Sequence, residues 1–271
     1  MAGSAATQEC FQLGTSFGGL LPSDLDGTIA PPAGAPNTFM NFGSNSLNIW
    51  QFHADFGNPA NATLTGPTNI PVATFTAACN GGGGCIAQPG TSQKLDSLAD
   101  RLMYRLAYRH FADGHEALVV NHSVKVSGNN RSQVVGVRWY ELRKTSGTYS
   151  VFQQGTYSPD STSRWMGSVA MDRVGDIALG YSASSDSVYP SIRYTGRIAT
   201  DPLGTLQAES SILSGGGSQL PNLGRWGDYS AMTVDPVDSH CTFWFTAQYL
   251  KSSGTFNWST RIASFKFPGC Q

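Results

Sequence analysis

The chain has 271 residues, a formal net charge of −1 and 13% charged side chains, where an average soluble protein has roughly 25%. No apolar run approaches the ~20 residues of a membrane-spanning helix, and no block of Lys and Arg marks a nucleic-acid face, so neither membrane nor nucleic acid is an expected partner. With 31 glycines and 11% aromatics the chain is too rich in aromatic and β-branched residues for disorder, and it is long enough to bury a sizeable core.

Residues 1–36 form an N-terminal segment. Its start, Met1-Ala2-Gly3-Ser4, carries no signal peptide, so export requires a leader outside this chain. Asp24-Leu25-Asp26-Gly27 has the opening of a calcium loop without the later ligands and reads as a turn. The Pro-rich stretch 30–36 reads as a connector to the main domain, residues 37–271. Cys79 and Cys85 flank Gly81-Gly82-Gly83-Gly84, a tract flexible enough for a small disulfide loop, and a Cys241–Cys270 bridge would pin the C-terminal tail. Cys10 is left over. Two disulfides imply an oxidising, extracellular setting; five reduced thiols in a cytosolic protein is the rival reading. Residues 93–100 are the only short helical candidate. Beyond them, alternating apolar residues with Gly, Asn and Asp at the joints predict strands over 102–111, 117–126, 134–143 and 149–157, then 168–172, 177–181, 189–198 and 203–213.

Three segments align without gaps: Arg101-Leu-Met-Tyr-Arg-Leu-Ala-Tyr-Arg109, Arg164-Trp-Met-Gly-Ser-Val-Ala-Met-Asp172 and Arg225-Trp-Gly-Asp-Tyr-Ser-Ala-Met-Thr233. Their starts at 101, 164 and 225 are 63 and 61 residues apart, and a weaker copy, Thr38-Phe-Met-Asn-Phe42, lies 63 residues upstream. Four strands per unit of about 62 residues predict an all-β fold of the β-propeller type with about four blades. The unit from 225 has room for three strands, so a closing strand is expected from within residues 8–21. Either the ring closes in one chain or a homodimer completes it, because bare strand edges aggregate.

The segments 164–172, 175–182 and 189–194, with Trp226-Gly-Asp-Tyr-Ser230 and Cys241-Thr-Phe-Trp244, resemble secreted bacterial sialidase-like propeller proteins from about residue 37 onward. Ser158-Pro-Asp160-Ser-Thr162-Ser-Arg-Trp165 looks like a degenerate Asp-box of that superfamily, with Thr162 where the motif has Gly. The resemblance implies a propeller, an extracellular bacterial setting and a parent ring with more blades than are countable here. It implies little about activity, since such boxes are structural and one fold hosts many functions.

Arg101, Arg164 and Arg225 hold equivalent places ahead of three first strands, where guanidinium groups from adjacent blades could converge on carboxylate or phosphate oxygens. The rival reading is repeated ion pairs with Asp96, Asp160 or Asp172. Asp228 and Tyr229 stand where the second segment has Gly167 and Ser168, and the first has Tyr104 and Arg105. These four suit general acid–base or nucleophilic work at an axial mouth, or else a hydrogen-bonded blade junction. A sialidase site would also need a glutamate beside its tyrosine; Glu116, Glu141 and Glu209 are available, and nothing in the sequence places one there. Trp139, Trp165, Trp226, Trp244 and Trp258 suit sugar stacking or blade cores, with Trp226 nearest the candidate site. His110, His115 and His122 lie close in sequence without a metal-binding spacing, so no cofactor is expected and a divalent metal is the alternative. The expected function is hydrolysis of a small-molecule or glycan substrate that is anionic or ester-like. The alternatives are a non-catalytic glycan- or protein-binding propeller and a metal-assisted phosphoester or lactone hydrolase.

Overall fold

The computed structural model describes residues 8–129 and 132–270; the start Met1–Ser4 lies outside them. The described chain is all-β. Strands β1 (Leu21–Leu25), β2 (Asn37–Gly43), β3 (Ser46–His53) and β4 (Thr63–Pro71) come first, followed by the two-stranded pair β5 (Gly84–Ile86) and β6 (Leu95–Asp96). Then come β7 (Met103–His110), β8 (Glu116–Asn129), β9 (Ser132–Lys144) and β10 (Ser150–Tyr157). The third unit is β11 (Ser163–Met171), β12 (Ile177–Ser184), β13 (Ser191–Arg197) and β14 (Ser210–Leu213), and the last is β15 (Ala231–Val234), β16 (Phe243–Leu250) and β17 (Trp258–Phe265).

Each unit is an antiparallel meander in chain order, as alternating apolar patterns with turn residues between them require. The first two units merge into one curled eight-stranded sheet of order β10-β9-β8-β7-β1-β2-β3-β4, beside a four-stranded sheet β11–β14 and a three-stranded sheet β15–β17. The N-terminal segment does supply a strand, but not to the last sheet: β1 lies between β2, antiparallel, and β7, parallel. Charge explains that placement. Asp24 and Asp26 on and beside β1 meet Arg105 of β7, while Phe11 and Phe17 ahead of it pack edge-on against Phe52 and Trp50 of β3. Residues 93–100 are not helical. Asp96 in β6 accepts the N–H groups of Gly83 and Leu98 and donates its own to the Gly224 carbonyl, three bonds that a helix would not offer.

The sequence repeat is visible in space. Arg109 Nε donates to the Met171 carbonyl at 3.1 Å, Ser230 Oγ to the Met166 carbonyl at 2.6 Å, and the Met232 N–H to Ser168 Oγ at 2.9 Å, across separations of 62, 64 and 64 residues. The three aligned segments therefore run side by side. Irregular pairing recurs in two of them, between Met103 and Ala107 on β7 and between Trp165 and Ser168 on β11; such bulges re-aim side chains near a sheet end.

Apolar faces bury the interfaces between units. Val119, Val137 and Trp139 meet Val169, Leu179 and Tyr181, and on the far side Ala178 and Ile192 meet Met232, Phe243 and Phe245. A Cβ on Gly180 would stand 2.7 Å from the Phe245 ring, so a glycine lets the last two sheets approach this closely. Both predicted disulfides are present, Cys79–Cys85 and Cys241–Cys270, and Cys10 is a free, exposed thiol. They point to an oxidising compartment. Among the described residues no helix is long and apolar enough to cross a membrane.

Candidate functional site

The starts of the first and third aligned segments face a common hollow of about 480 Å³, lined by Asp96, Leu98, Arg101, Arg225, Asp228 and Tyr229. Four of these six were legible from the repeat. Arg225 and Asp228 are joined by an ion pair of 2.5 Å, with the guanidinium largely in solvent and the carboxylate mostly covered. Arg101 takes both oxygens of Asp100 in a fork, Nε at 2.8 Å and Nη2 at 2.7 Å, and its Nη1 lies 3.5 Å from the Tyr229 hydroxyl. That pairing, led by its hydrogen bonds, holds the Arg101 proton more firmly than usual and keeps the Asp100 carboxyl below its ordinary value.

Asp96 and Leu98 were missed as lining residues, although Asp96 was named as an ion-pair partner. The Cys79–Cys85 loop delivers them. The loop presents the Gly83 N–H to Asp96 Oδ1 at 3.0 Å, and the Asp96 N–H reaches the Gly224 carbonyl, one residue before Arg225, at 2.7 Å. The Gly-rich disulfide loop was the available signal, but its partner strand could not be read from spacing.

The remaining candidates lie elsewhere. Arg105 is buried and clamps Asp26 through two bonds of 2.9 and 3.0 Å and Asp24 through one of 2.9 Å, a tie between β7 and β1. Its neighbour Tyr104 is exposed but does not line the hollow. Arg164 has no solvent-accessible surface. It holds Asp160 at 2.6 and 3.1 Å and Glu209 at 3.0 and 2.7 Å, and Glu209 also accepts from Arg193 and Tyr181. All three arginines therefore make ion pairs; of the expected carboxylates Asp160 is the one used, the others being Asp100, Asp228 and Glu209. Trp226 is likewise enclosed, with its indole N–H on Ser182 Oγ at 3.0 Å and its ring beside Trp165. Trp139 and Trp165 are buried too, which leaves Trp244 and Trp258 as the partly exposed pair.

None of the three glutamates reaches Tyr229. Glu116 bonds the Tyr108 hydroxyl and Lys144, Glu141 bonds Arg143 and Gln153, and Glu209 sits in the Arg164 network. The histidines separate as well. His110 Nδ1 meets the Ala30 carbonyl, His115 pairs with Asp113, and His122 is enclosed between Phe42, Phe75 and Tyr140 with Nε2 on the Tyr140 hydroxyl. Burial drives the His122 pKa down to about 3, so its ring is neutral. Among the described residues, no three His, Cys, Asp or Glu side chains come together as metal ligands would.

No family model matches the chain, and no curated protein does. Among solved structures, one similar chain is that of a protein of unknown function from Dyadobacter fermentans DSM 18053. It is 11% identical, with 91% of this chain and 76% of that one covered at a TM-score of 0.29. Likeness at that level carries no conclusion about fold or activity.

Proposed function

We propose that the protein recognises an acidic glycan or a comparable small anion in the hollow between Arg101 and Arg225. The observation that carries this reading is that two guanidinium groups, Asp96, Asp228 and Tyr229 line one polar space of about 480 Å³. Guanidinium forks match carboxylate oxygens, while carboxylates and a phenol accept and donate to sugar hydroxyls. Ligand entry would exchange the Arg225–Asp228 contact, whose guanidinium lies largely in solvent, for contacts to the ligand.

Hydrolysis is the second reading. It is favoured by the Tyr229 hydroxyl lying 3.5 Å from the Arg101 guanidinium, a candidate nucleophile, with Asp228 nearby as acid or base. The positions of the glutamates favour binding without turnover. In either reading the molecule is a secreted, sialidase-like propeller whose units are the four meanders. A second copy of the chain completing the ring belongs to the same proposal: the last sheet has three strands, and Trp244 and Ile262 on its outer face are exposed.

Calorimetric titration with sialic acid, glucuronic acid and a neutral hexose tests it. The acidic sugars should bind and the neutral one should not. Arg225→Gln should weaken binding about tenfold, the worth of one charge-assisted contact. Equal affinity for acidic and neutral sugars would sink the proposal. Product release from a chromogenic acidic glycoside, abolished in Asp228→Asn with unchanged circular dichroism, would select the hydrolytic reading.

A further inference from the structure

The units stack in a row, and the two ends of the row differ from its middle. In the third unit β12 is buried along its whole length, because other units lie against both of its sides. In β16 of the last unit burial alternates: Phe243 and Phe245 face the third unit, while Trp244 between them is 41% exposed. The repeat says which side has been left open. Ala107, Ala170 and Ala231 hold equivalent places in the three aligned segments. Ala107 packs toward the third unit and Ala170 toward the fourth, so Ala231 marks the face on which a further unit would stack.

By strand register that face carries Trp244, Thr246, Trp258, Thr260, Ile262 and Ser264, and none of its positions on β15–β17 is charged. Ile262 is 64% exposed, and the two indole N–H groups are held by Asp235 and Gln219, which fixes both rings in place. At the other end of the row, Met40, Leu47 and Ile49 point toward the second unit, and Phe39, Trp50 and Phe52 occupy the opposite side of the same strands. Phe11 and Phe17 cover part of that side. Beside them remains a recess of about 490 Å³, lined by Pro22, Ala35, Phe39, Phe52 and Phe56 with His53 as its ionisable member, and Phe56 is 95% exposed. Terminal units of a stacked array ordinarily end in a polar cap. Here one end projects uncharged side chains and the other offers an aromatic recess, the kind of surface that marks a contact between proteins.

Resting on ring completion by a second copy, we propose that the two copies meet head to tail. The open face of β15–β17 seats on the outer face of the partner's first unit, with Trp244 and Ile262 at the aromatic recess, and a two-fold axis makes the same contact twice. Continuing the row in this sense presents to each last unit the side of a first unit that faces away from its own second unit, as the stacking within one copy does. Strand spacings give a three-stranded face of this length roughly 350 Å², so two contacts bury about 1,400 Å² over both partners, above the ~1,000 Å² of a specific interface.

The test uses the intact chain with exposed Cys10 replaced, Cys10→Ser, and a short bismaleimide cross-linker. A mixture of Phe56→Cys and Ile262→Cys copies should cross-link, and neither variant alone should. Light scattering should read one chain mass for Phe56→Lys, at a position too exposed to disturb folding, where the parent reads two. Cross-linking of Ile262→Cys with itself would show the last sheets meeting face to face and would overturn the proposal. So would an unlinked mixture, a dimer that survives Phe56→Lys, a monomeric parent, or a parent mass above two copies, which marks an open chain. The Arg101–Arg225 hollow lies within one copy, so acidic-sugar binding should persist in Phe56→Lys, and Arg225→Gln should leave the dimer mass unchanged. Failure of the pairing and failure of the acidic-glycan reading are therefore read separately.

Discussion

At the residue scale, two buried ionisable groups pull the stability curve in opposite directions. Asp172 has no exposed surface, and burial first, then the neighbouring Asp176, pushes its pKa up to about 6. Between about pH 4 and 6 the native state therefore keeps a proton that the unfolded chain has lost. Stability from this group is complete below pH 4 and is lost as pH rises toward 6. For His122 the sign reverses. With its pKa lowered to about 3, its contribution is complete above about 6.5 and lost as pH falls. Each slope is at most about 1.4 kcal/mol per pH unit, so over pH 4–6 the two offset one another. Asp172→Asn keeps the acceptor for Val174 and Asp176 but removes the titration. Urea unfolding from pH 4 to 6 should then show the variant gaining stability with pH faster than the parent. Parallel profiles would mean that Asp172 titrates normally.

At the element scale, the disulfides act on different parts of the molecule. Cys79–Cys85 spans 6 residues and Cys241–Cys270 spans 29, so loop entropy assigns them about 2 and about 4 kcal/mol. Their local roles invert that order for ligand binding in the Arg101–Arg225 hollow. The short loop holds Asp96 against the 224–225 backbone, whereas the long one closes the last sheet. Cys79→Ser with Cys85→Ser should lower stability modestly and weaken acidic-sugar binding. Cys241→Ser with Cys270→Ser should lower stability more and leave that binding nearly intact. Paired urea melts and titrations decide it, and the reverse order would show that Asp96 is held by something other than the loop.

At the scale of the whole molecule, the units associate unequally. The first two share a continuous sheet through β1, the second, third and fourth stack by their faces, and the last presents Trp244 and Ile262 outward. Exposed apolar surface on a sheet face with an open edge favours association. Light scattering should give twice the chain mass of 28.9 kDa, and Ile262→Lys should return it to a monomer. A parent protein that is already monomeric would refute ring completion by a second copy. A dimer split by reductant alone would point to exposed Cys10 as the link.

The all-β class, the meander units and both disulfides were written in local patterns: apolar alternation, turn residues, a 61–63-residue repeat and cysteines placed to meet. The repeat also brought Arg101, Arg225, Asp228 and Tyr229 to notice, because equivalent positions in stacked units lie near one another. Equivalence could not say which side chains face solvent. Arg105 turned to Asp24 and Asp26, on and just beyond a strand some 80 residues earlier in the chain, and Arg164 to Glu209, 45 residues later. Such choices depend on which carboxylate the fold carries within reach of a guanidinium. The same holds for β1, whose position between β2 and β7 follows from charges and rings far apart in the chain. Local composition determines which elements form; long-range pairing determines which of their polar groups remain open to a ligand.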